Sequence, residues 1–405
     1  MMSLSATVTQ RALEVGFDLA GVAPLSVCKD LEFARAWVER GFGGEMRYLQ
    51  DPKRRDPRFI LPSAKSVICV GLVYNTPLPY STEESQRSKV EGTADNGHAG
   101  DSPRAWISRY AWGQDYHAIL RAKLEQLRAA IEGLAPGVET RVYVDTGPIV
   151  ERAFARFSGI GWMGKNTCLI NEQKGSWFFI GVILTSLHLD PDLPAPDRCG
   201  SCTRCLKACP TGALVEPYIM DATRCISYFT IELKGPIPVQ FREGMGANVF
   251  GCDICQDVCP WNGPPLSIVS RRSEDSLQLS AVSHQPRRAD TTELPEFQPR
   301  RVQISCKEGT TPDSGLRTPD CEALSLYNPP LEVLASFTEE DFRRVFAHFP
   351  IKRAKYRGWL RNLCVAMGNS GDRRFLPWLE KACEDQGPVI REHAQWAMDK
   401  LKLCE

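Results

Sequence analysis

The sequence has no surplus of charge: 49 basic side chains balance 49 acidic ones, a formal net charge of zero at pH 7. Any affinity for nucleic acid must therefore come from a local patch, because the field of the whole chain supplies none. No stretch reaches the roughly 18 continuous apolar residues of a membrane span, so no membrane association is expected. Met1 to Gln10 has neither the charged-then-apolar profile of a secretory signal nor a twin-arginine pair, which points to a cytoplasmic chain. What the sequence does have is cysteine, 16 in 405 residues. In a reducing compartment that many thiols argue for metal or redox cofactors over disulfides.

A chain of this length is too long for one compact core and suggests several domains. Residues 1–195 read as an α/β domain. Ala6 to Phe17 has helical spacing, Lys65 to Val73 is a short β-branched run expected as a buried strand, and Tyr116 to Leu134 is strongly helical. Arg141 to Val144 is a short strand, and Pro148 to Phe157 a helix with proline in its first turn. Thr167–Ile170 and Trp177–Leu187 are expected to form a hairpin around Gly175. Residues 196–264, dense in cysteine and glycine, read as a ferredoxin-like two-cluster module. Residues 265–328, rich in Ser, Arg, Pro and Thr, read as a flexible insertion or linker, and Ser81 to Pro103 is a similar polar stretch. Residues 329–405 read as an all-α, HEAT-like region. Phe375, Leu376, Leu379 and Cys383 mark one helical face, and Ile390, Ala394, Ala397 and Leu401 the next, across a break at Gly387–Pro388.

The cysteines carry the strongest chemical signal. C-G-S-C-T-R-C-L-K-A-C-P places Cys199, Cys202, Cys205 and Cys209 at the bacterial ferredoxin spacing, with Pro210 following. Cys225, Cys252, Cys255 and Cys259, followed by Pro260, form a second set. Two-residue gaps let one loop wrap three corners of an iron–sulfide cube, and the fourth cysteine of such a run ligates the other cluster. One 4Fe–4S cluster is thus assigned to Cys199, Cys202, Cys205 and Cys259, the other to Cys209, Cys225, Cys252 and Cys255. A pair of structural zinc sites would also use C-x-x-C pairs, but it explains neither the two C-x-x-x-C-P endings nor the interlock. Cys28, Cys69, Cys168, Cys306, Cys321, Cys364, Cys383 and Cys404 show no ligand spacing and read as buried or incidental thiols.

Two clusters form a wire, and the residues ahead of them suggest a catalytic cofactor that the wire reduces. Asp145, in R-V-Y-V-D-T-G-P-I-V-E-R (141–152), ends a strand before a turn and reads on its own as a turn or capping aspartate. The glycines of G-I-G-W-M-G-K-N-T-C-L-I (159–170) would let backbone approach a large planar ligand, or simply make a tight loop.

At these residues the chain resembles the cobalamin-dependent epoxyqueuosine reductases. The resemblance runs through L-P-S-A-K-S-V-I (61–68), S-R-Y-A-W-G-Q-D-Y-H (108–117), V-D-T-G-P-I-V-E-R (144–152) and G-W-M-G-K-N-T (161–167). It continues through R-C-I-S-Y-F-T (224–230), G-C-D-I-C-Q-D-V-C-P-W-N (251–262) and R-N-L-C-V-A-M-G-N (361–369). It implies removal of the epoxide oxygen of epoxyqueuosine at the wobble position of tRNAs for Asp, Asn, His and Tyr, the last step of queuosine biosynthesis. It also implies cobalamin reduced through the clusters, an electron-donor protein and a monomeric enzyme. Asp145 matches the family's proton donor, and burial beside an apolar corrin is expected to raise its pKa. Arg54, Ser108, Asp145, Lys165, Leu169, Ile180, Ser227 and Asp253 match positions at or near cobalamin. Asp115 and His117 suggest a cobalt-ligating D-x-H-x-x-G motif, but Leu120 occupies the glycine position and the motif fails.

From Phe342 to Gly371 there are seven cations (Arg343, Arg344, Lys352, Arg353, Lys355, Arg357, Arg361) and no carboxylate, with Tyr356 and Trp359 between them. Such a run suits a phosphate backbone and an unstacked base, so Lys352, Arg353, Lys355, Arg357 and Arg361, with Lys234, are candidate tRNA contacts. The rival readings are a corrinoid reductive dehalogenase-like enzyme and a non-catalytic iron–sulfur electron carrier. The first usually carries a twin-arginine signal and has no use for a basic helical tail.

Overall fold

A computed structural model describes residues 2–26, 28–82, 102–263, 289–302 and 324–403. The run Ser66–Val73 (β2) is buried at all eight positions. A strand apolar on both faces needs neighbours on both edges and cover on both sides, and it has them. It lies in an antiparallel sheet with Leu19–Pro24 (β1), Thr140–Tyr143 (β3) and Phe178–Thr185 (β4), in the order β1-β2-β4-β3.

Side chains alternate across the sheet. Ile68, Val70 and Leu72 meet Val8 and Ala12 of helix α1 (Leu4–Glu14), together with Leu120, Leu124, Leu127 and Ile131 of the helix Tyr116–Leu134. Helix α2 (Cys28–Glu39) lies between them in sequence, so Tyr116–Leu134 is α3. Val67, Cys69 and Val73 meet Ala153 and Phe154 of α4 (Glu151–Phe157) on the other face. The result is a helix–sheet–helix sandwich in which each buried leucine contributes about 1.5–3 kcal/mol over an exposed one.

The cluster module carries α5 (Arg204–Ala208), α6 (Ile226–Ile231) and α7 (Ile254–Asp257) around a small core of Ile226, Phe229, Ile237 and Met245. The C-terminal helices are α8 (Leu331–Ala335), α9 (Glu339–Val345), α10 (Lys355–Ser370), α11 (Leu376–Cys383) and α12 (Pro388–Lys402). A capping box of Thr338 and Asp341 starts α9. Helices α11 and α12 form the expected hairpin, with Ile390, Ala394, Ala397 and Leu401 buried. Gly368 lets α10 close on α12, since a Cβ there would lie 2.9 Å from Ala397.

Three expectations are corrected. Leu169–Ile170 pairs with Trp162–Met163, not with β4, and a single bridge between Asn171 and Gly175 closes the intervening turn. The reason is that β4 is too apolar for a hairpin edge and is drawn to the sheet centre. The helix expected from Pro148 begins at Glu151, because residues 145–150 form a turn at the site. The stretch 265–328 is not wholly linker. Ala289 and Phe297 are buried in the sandwich core, Thr292 N donates to Asn75 O (2.8 Å) and Gln114 N to Glu296 O (2.7 Å). The remainder of that stretch (264–288 and 303–323), residues 83–101 of the other polar stretch, and Cys306, Cys321 and Cys404 lie outside the described residues.

The C-terminal helices do not stand apart either. One continuous core joins Trp106, Ile107 and Trp112, Phe250 beside the second cysteine set, and Phe346, Trp359, Leu363 and Leu379. The strand Asn248–Phe250 also pairs in parallel with Trp106–Ile107. Among the described residues, no helix is long and apolar enough to cross a membrane.

Candidate active site and cluster module

A cavity of about 1140 Å³ opens between α2, the segment 46–55, the turn before α4 and the cluster module; Tyr48, Arg54, Asp145, Glu151, Trp162 and Tyr218 are on its walls. Asp145 follows β3 with φ +54°, a left-handed conformation that aspartate tolerates better than most side chains. Its side chain is half exposed. The start of α3 faces it: Tyr116 Oη donates to Asp145 Oδ2 at 2.8 Å, and His117 Nε2 lies 3.5 Å from the same oxygen. The other ring nitrogen, His117 Nδ1, is 2.7 Å from Asp115 Oδ1, and Lys352 Nζ is 2.8 Å from Asp115 Oδ2. Arg353 sits 4.0 Å from Asp145 and 2.6 Å from Glu232.

These partners overturn the expected pKa of Asp145. Burial raises it, but His117, the Tyr116 hydroxyl and the Arg353 charge outweigh burial and hold the carboxyl below its ordinary value. Burial pushes His117 down, yet Asp115 and Asp145 together raise it to about 9. At neutral pH the proton therefore rests on His117. Glu151, whose carboxyl is raised to about 8 by burial and then by the Asp145 charge, is a second proton-bearing group beside Asp145.

Of the residues matched to cobalamin positions, Arg54 and Asp145 line the cavity and the others do not. Arg54 donates to Gly147 O (2.9 Å) and Ile149 O (3.1 Å), bracing the Asp145 turn. Ser108 Oγ donates to Asp253 Oδ1 at 2.5 Å, and both are buried away from the cavity, where Trp106 Nε1 and Arg109 N also donate to Asp253. Lys165 Nζ donates to Gly200 O (2.5 Å) and Cys202 O (3.0 Å), tying the first cysteine loop to the catalytic domain. Leu169 and Ile180 are packed in the sandwich core, and Ser227 hydrogen-bonds Cys225, whose thiol burial pushes up in pKa in spite of that bond.

Cys199, Cys202, Cys205 and Cys259 line one cavity of about 250 Å³ with Lys165 and Trp261. Cys255 and Cys252 interact electrostatically with Cys225, and Cys225 with Cys209. None of the eight is in a disulfide. Cys168, assigned no role from the sequence, bonds to Cys255 and so borders the second set. Cys69 and Cys364 are buried, as expected.

Arg361 is a correction. It is 1 % exposed and donates to Phe229 O, Leu233 O (2.8 Å) and Gly235 O (2.8 Å), so it braces the end of α6 and cannot face RNA. Arg361→Met would leave those carbonyls unpaired, and we expect a loss of about 3 kcal/mol by denaturant titration. The other cations are near the surface, but carboxylates from distant elements partner several: Lys352 with Asp115, Arg353 with Glu232, and Arg357 with Asp385 at 2.5 Å. The acid-free run in sequence is thus partly neutralised in space. Lys355 is exposed, and Lys234 lies within the same electrostatic neighbourhood. Sequence reasoning missed Tyr116, Glu151 and the role of His117, which it weighed only as a cobalt ligand.

A carboxyl with a protonated neighbour, opening on a cavity that a two-cluster module helps to wall, is the layout of a reductase fed by iron–sulfur clusters. Residues 198–262 match the family described as 4Fe-4S double cluster binding domain, and residues 54–146 match Epoxyqueuosine reductase QueG, DUF1730. The chain is 39% identical over 339 residues to an epoxyqueuosine reductase of Synechocystis sp., covering 83% of this chain and 95% of the relative. It is 34% identical over 397 residues to that of Xanthomonas campestris, covering 97% and 95%. A crystal structure of epoxyqueuosine reductase with an epoxyqueuosine-modified tRNA-Tyr stem loop superposes with a TM-score of 0.73 at 29% identity, covering 98% of this chain and 90% of that one. The chain belongs to the epoxyqueuosine reductase family, and its double-cluster domain binds two 4Fe–4S clusters.

Proposed function

We propose that this chain reduces epoxyqueuosine to queuosine at the wobble position of tRNAs for Asp, Asn, His and Tyr, as a cytoplasmic monomer served by an electron-donor protein. The observation that carries the reading is the Asp145 carboxyl on the cavity wall, hydrogen-bonded to Tyr116 and 3.5 Å from His117.

The cavity suits cobalamin: it is large, and Trp37, Met46, Leu49, Ile149, Val150 and Met163 give it apolar walls for a broad flat ring. When bound, that cofactor would supply a strongly nucleophilic cobalt for the strained epoxide. Arg54, Tyr48 and the turn 145–150 would hold its edge. Ring opening leaves negative charge on oxygen, which requires a proton in the transition state. At neutral pH that proton starts on His117, held by Asp115, and would reach the developing oxyanion through Asp145 Oδ2. The tRNA approaches over Lys234, Lys352, Arg353, Lys355 and Arg357, and a single-stranded anticodon loop gives up its wobble base at limited cost in stacking.

The test is reconstitution with cobalamin and a reductant on tRNA bearing epoxyqueuosine, read by nucleoside mass spectrometry; an unchanged nucleoside sinks the reading. Separately, Lys234→Ala with Lys355→Ala is expected to weaken stem-loop binding about tenfold at low salt and to flatten its salt dependence. Unaltered affinity across a salt series would remove this face from the RNA path.

A further inference from the structure

We propose that Glu151 is the positioning residue of the Asp145 turn, its carboxyl holding the backbone so that the Asp145 side chain points into the cavity; this rests on the reading of Asp145 as proton donor. Asp145 N donates to Glu151 Oε1 at 2.6 Å, and Asp145 is the one residue of the turn 145–150 with positive φ. A non-glycine residue keeps that conformation only where its surroundings over-determine it. Here the middle and end of the turn are fixed by other residues. Arg54 takes the carbonyls of Gly147 and Ile149, and Gly147 is pressed on Tyr143 so closely that a Cβ would lie 2.2 Å from the ring. Glu151 fixes its start, at the residue whose side chain does the chemistry.

Glu151 sits in the first turn of α4, anchored in the sandwich core through Ala153 and Phe154, so the latch stands on a rigid element. The charged groups facing it are Asp145, Arg54 and His117. Its raised pKa means that below about pH 8 it bonds the Asp145 amide without setting a second negative charge beside the Asp145 carboxylate. The role needs an acceptor oxygen at the right reach and does not need a charge.

That requirement separates the variants. Glu151→Gln keeps the acceptor and the reach; Glu151→Asp keeps an acid in the first turn of the helix but withdraws the oxygen by one methylene. In single turnover of the cluster- and cobalamin-loaded enzyme with epoxyqueuosine tRNA, Glu151→Gln is expected within about twofold of the parent. Glu151→Asp is expected at least about tenfold slower, with tRNA affinity unchanged in both. A full rate for Glu151→Asp overturns the proposal, and so does a Glu151→Gln rate as low as that of Glu151→Asp, which would assign Glu151 a proton-transfer role. Asp145→Asn in the same assay distinguishes the two readings: a normal rate there removes Asp145 as the donor and the latch with it. A dead Asp145→Asn beside a fully active Glu151→Asp removes the latch alone.

Discussion

Asp145→Asn is expected to lower turnover on epoxyqueuosine tRNA about 10²- to 10³-fold while leaving iron content and stem-loop affinity as they are. Asparagine keeps the size, tolerates the left-handed backbone and can still accept from Tyr116, so the turn should stand. What it removes is a carboxyl able to pass a proton. Turnover within threefold of the parent would point to another acid, of which His117 is the nearest. The pH profile tests the same arrangement from the other side. The folded pKa of His117, about 9, lies above its ordinary value of 6.5, so its bond to the two carboxylates is fully present below the ordinary value and is lost as pH rises through about 9. If His117 restores the proton to Asp145, the rate falls over that same alkaline window. A rate that stays level from pH 8 to pH 10 would break the link between them.

The second large effect concerns the interlock of the cysteines. Cys209 and Cys225 stand in different sequence runs, yet they interact with one another and belong to the same set in space. A chain carrying both Cys209→Ala and Cys225→Ala should therefore lose one cluster and keep the other, with about half the parent's iron, because Cys199, Cys202, Cys205 and Cys259 are untouched around their own cavity. If ligands instead followed sequence order, each cluster would lose one corner and nearly all the iron would go. Turnover is expected to vanish in either case, since electrons enter at one cluster and leave at the other. Iron analysis with the absorbance of the surviving cluster decides between the two arrangements.

Sequence spacing revealed what depends on local periodicity. The helix Tyr116–Leu134 lies where its apolar stripe puts it, and the buried strand Ser66–Val73 where its β-branched run predicts. The two-cluster domain was equally legible, because a cluster's geometry limits the gaps between its ligands, and residues 198–262 match such a domain. Contacts between distant segments were not. Nothing near Leu169 says that it pairs with Met163 and not with the strand that follows, and nothing around Phe297 says that it fills a core formed some 170 residues earlier. The basic run misled in the same way. Its carboxylate partners, Asp115, Glu232 and Asp385, come from three separate elements, and Arg361 has the composition of a surface cation but the position of a core residue. The acid site shows both outcomes. Asp145 was marked by its motif, whereas the direction of its pKa depends on His117 and Arg353, which only the fold brings to it.

The continuous core that runs from Trp106 and Phe250 into α10 and α11 bears on how this protein can be taken apart. A truncation placed after the second cysteine set would strip the cover from Phe250, Trp106 and Trp112 and expose a broad apolar face, so the catalytic half is not a portable fragment. For the same reason the helical tail cannot be transplanted as an RNA adaptor. On the proposed reading, the distance between the basic face and the Asp145 turn is set by packed side chains, and the protein would act as a gauge of fixed length, accepting a stem loop only when its wobble base falls at the cavity mouth.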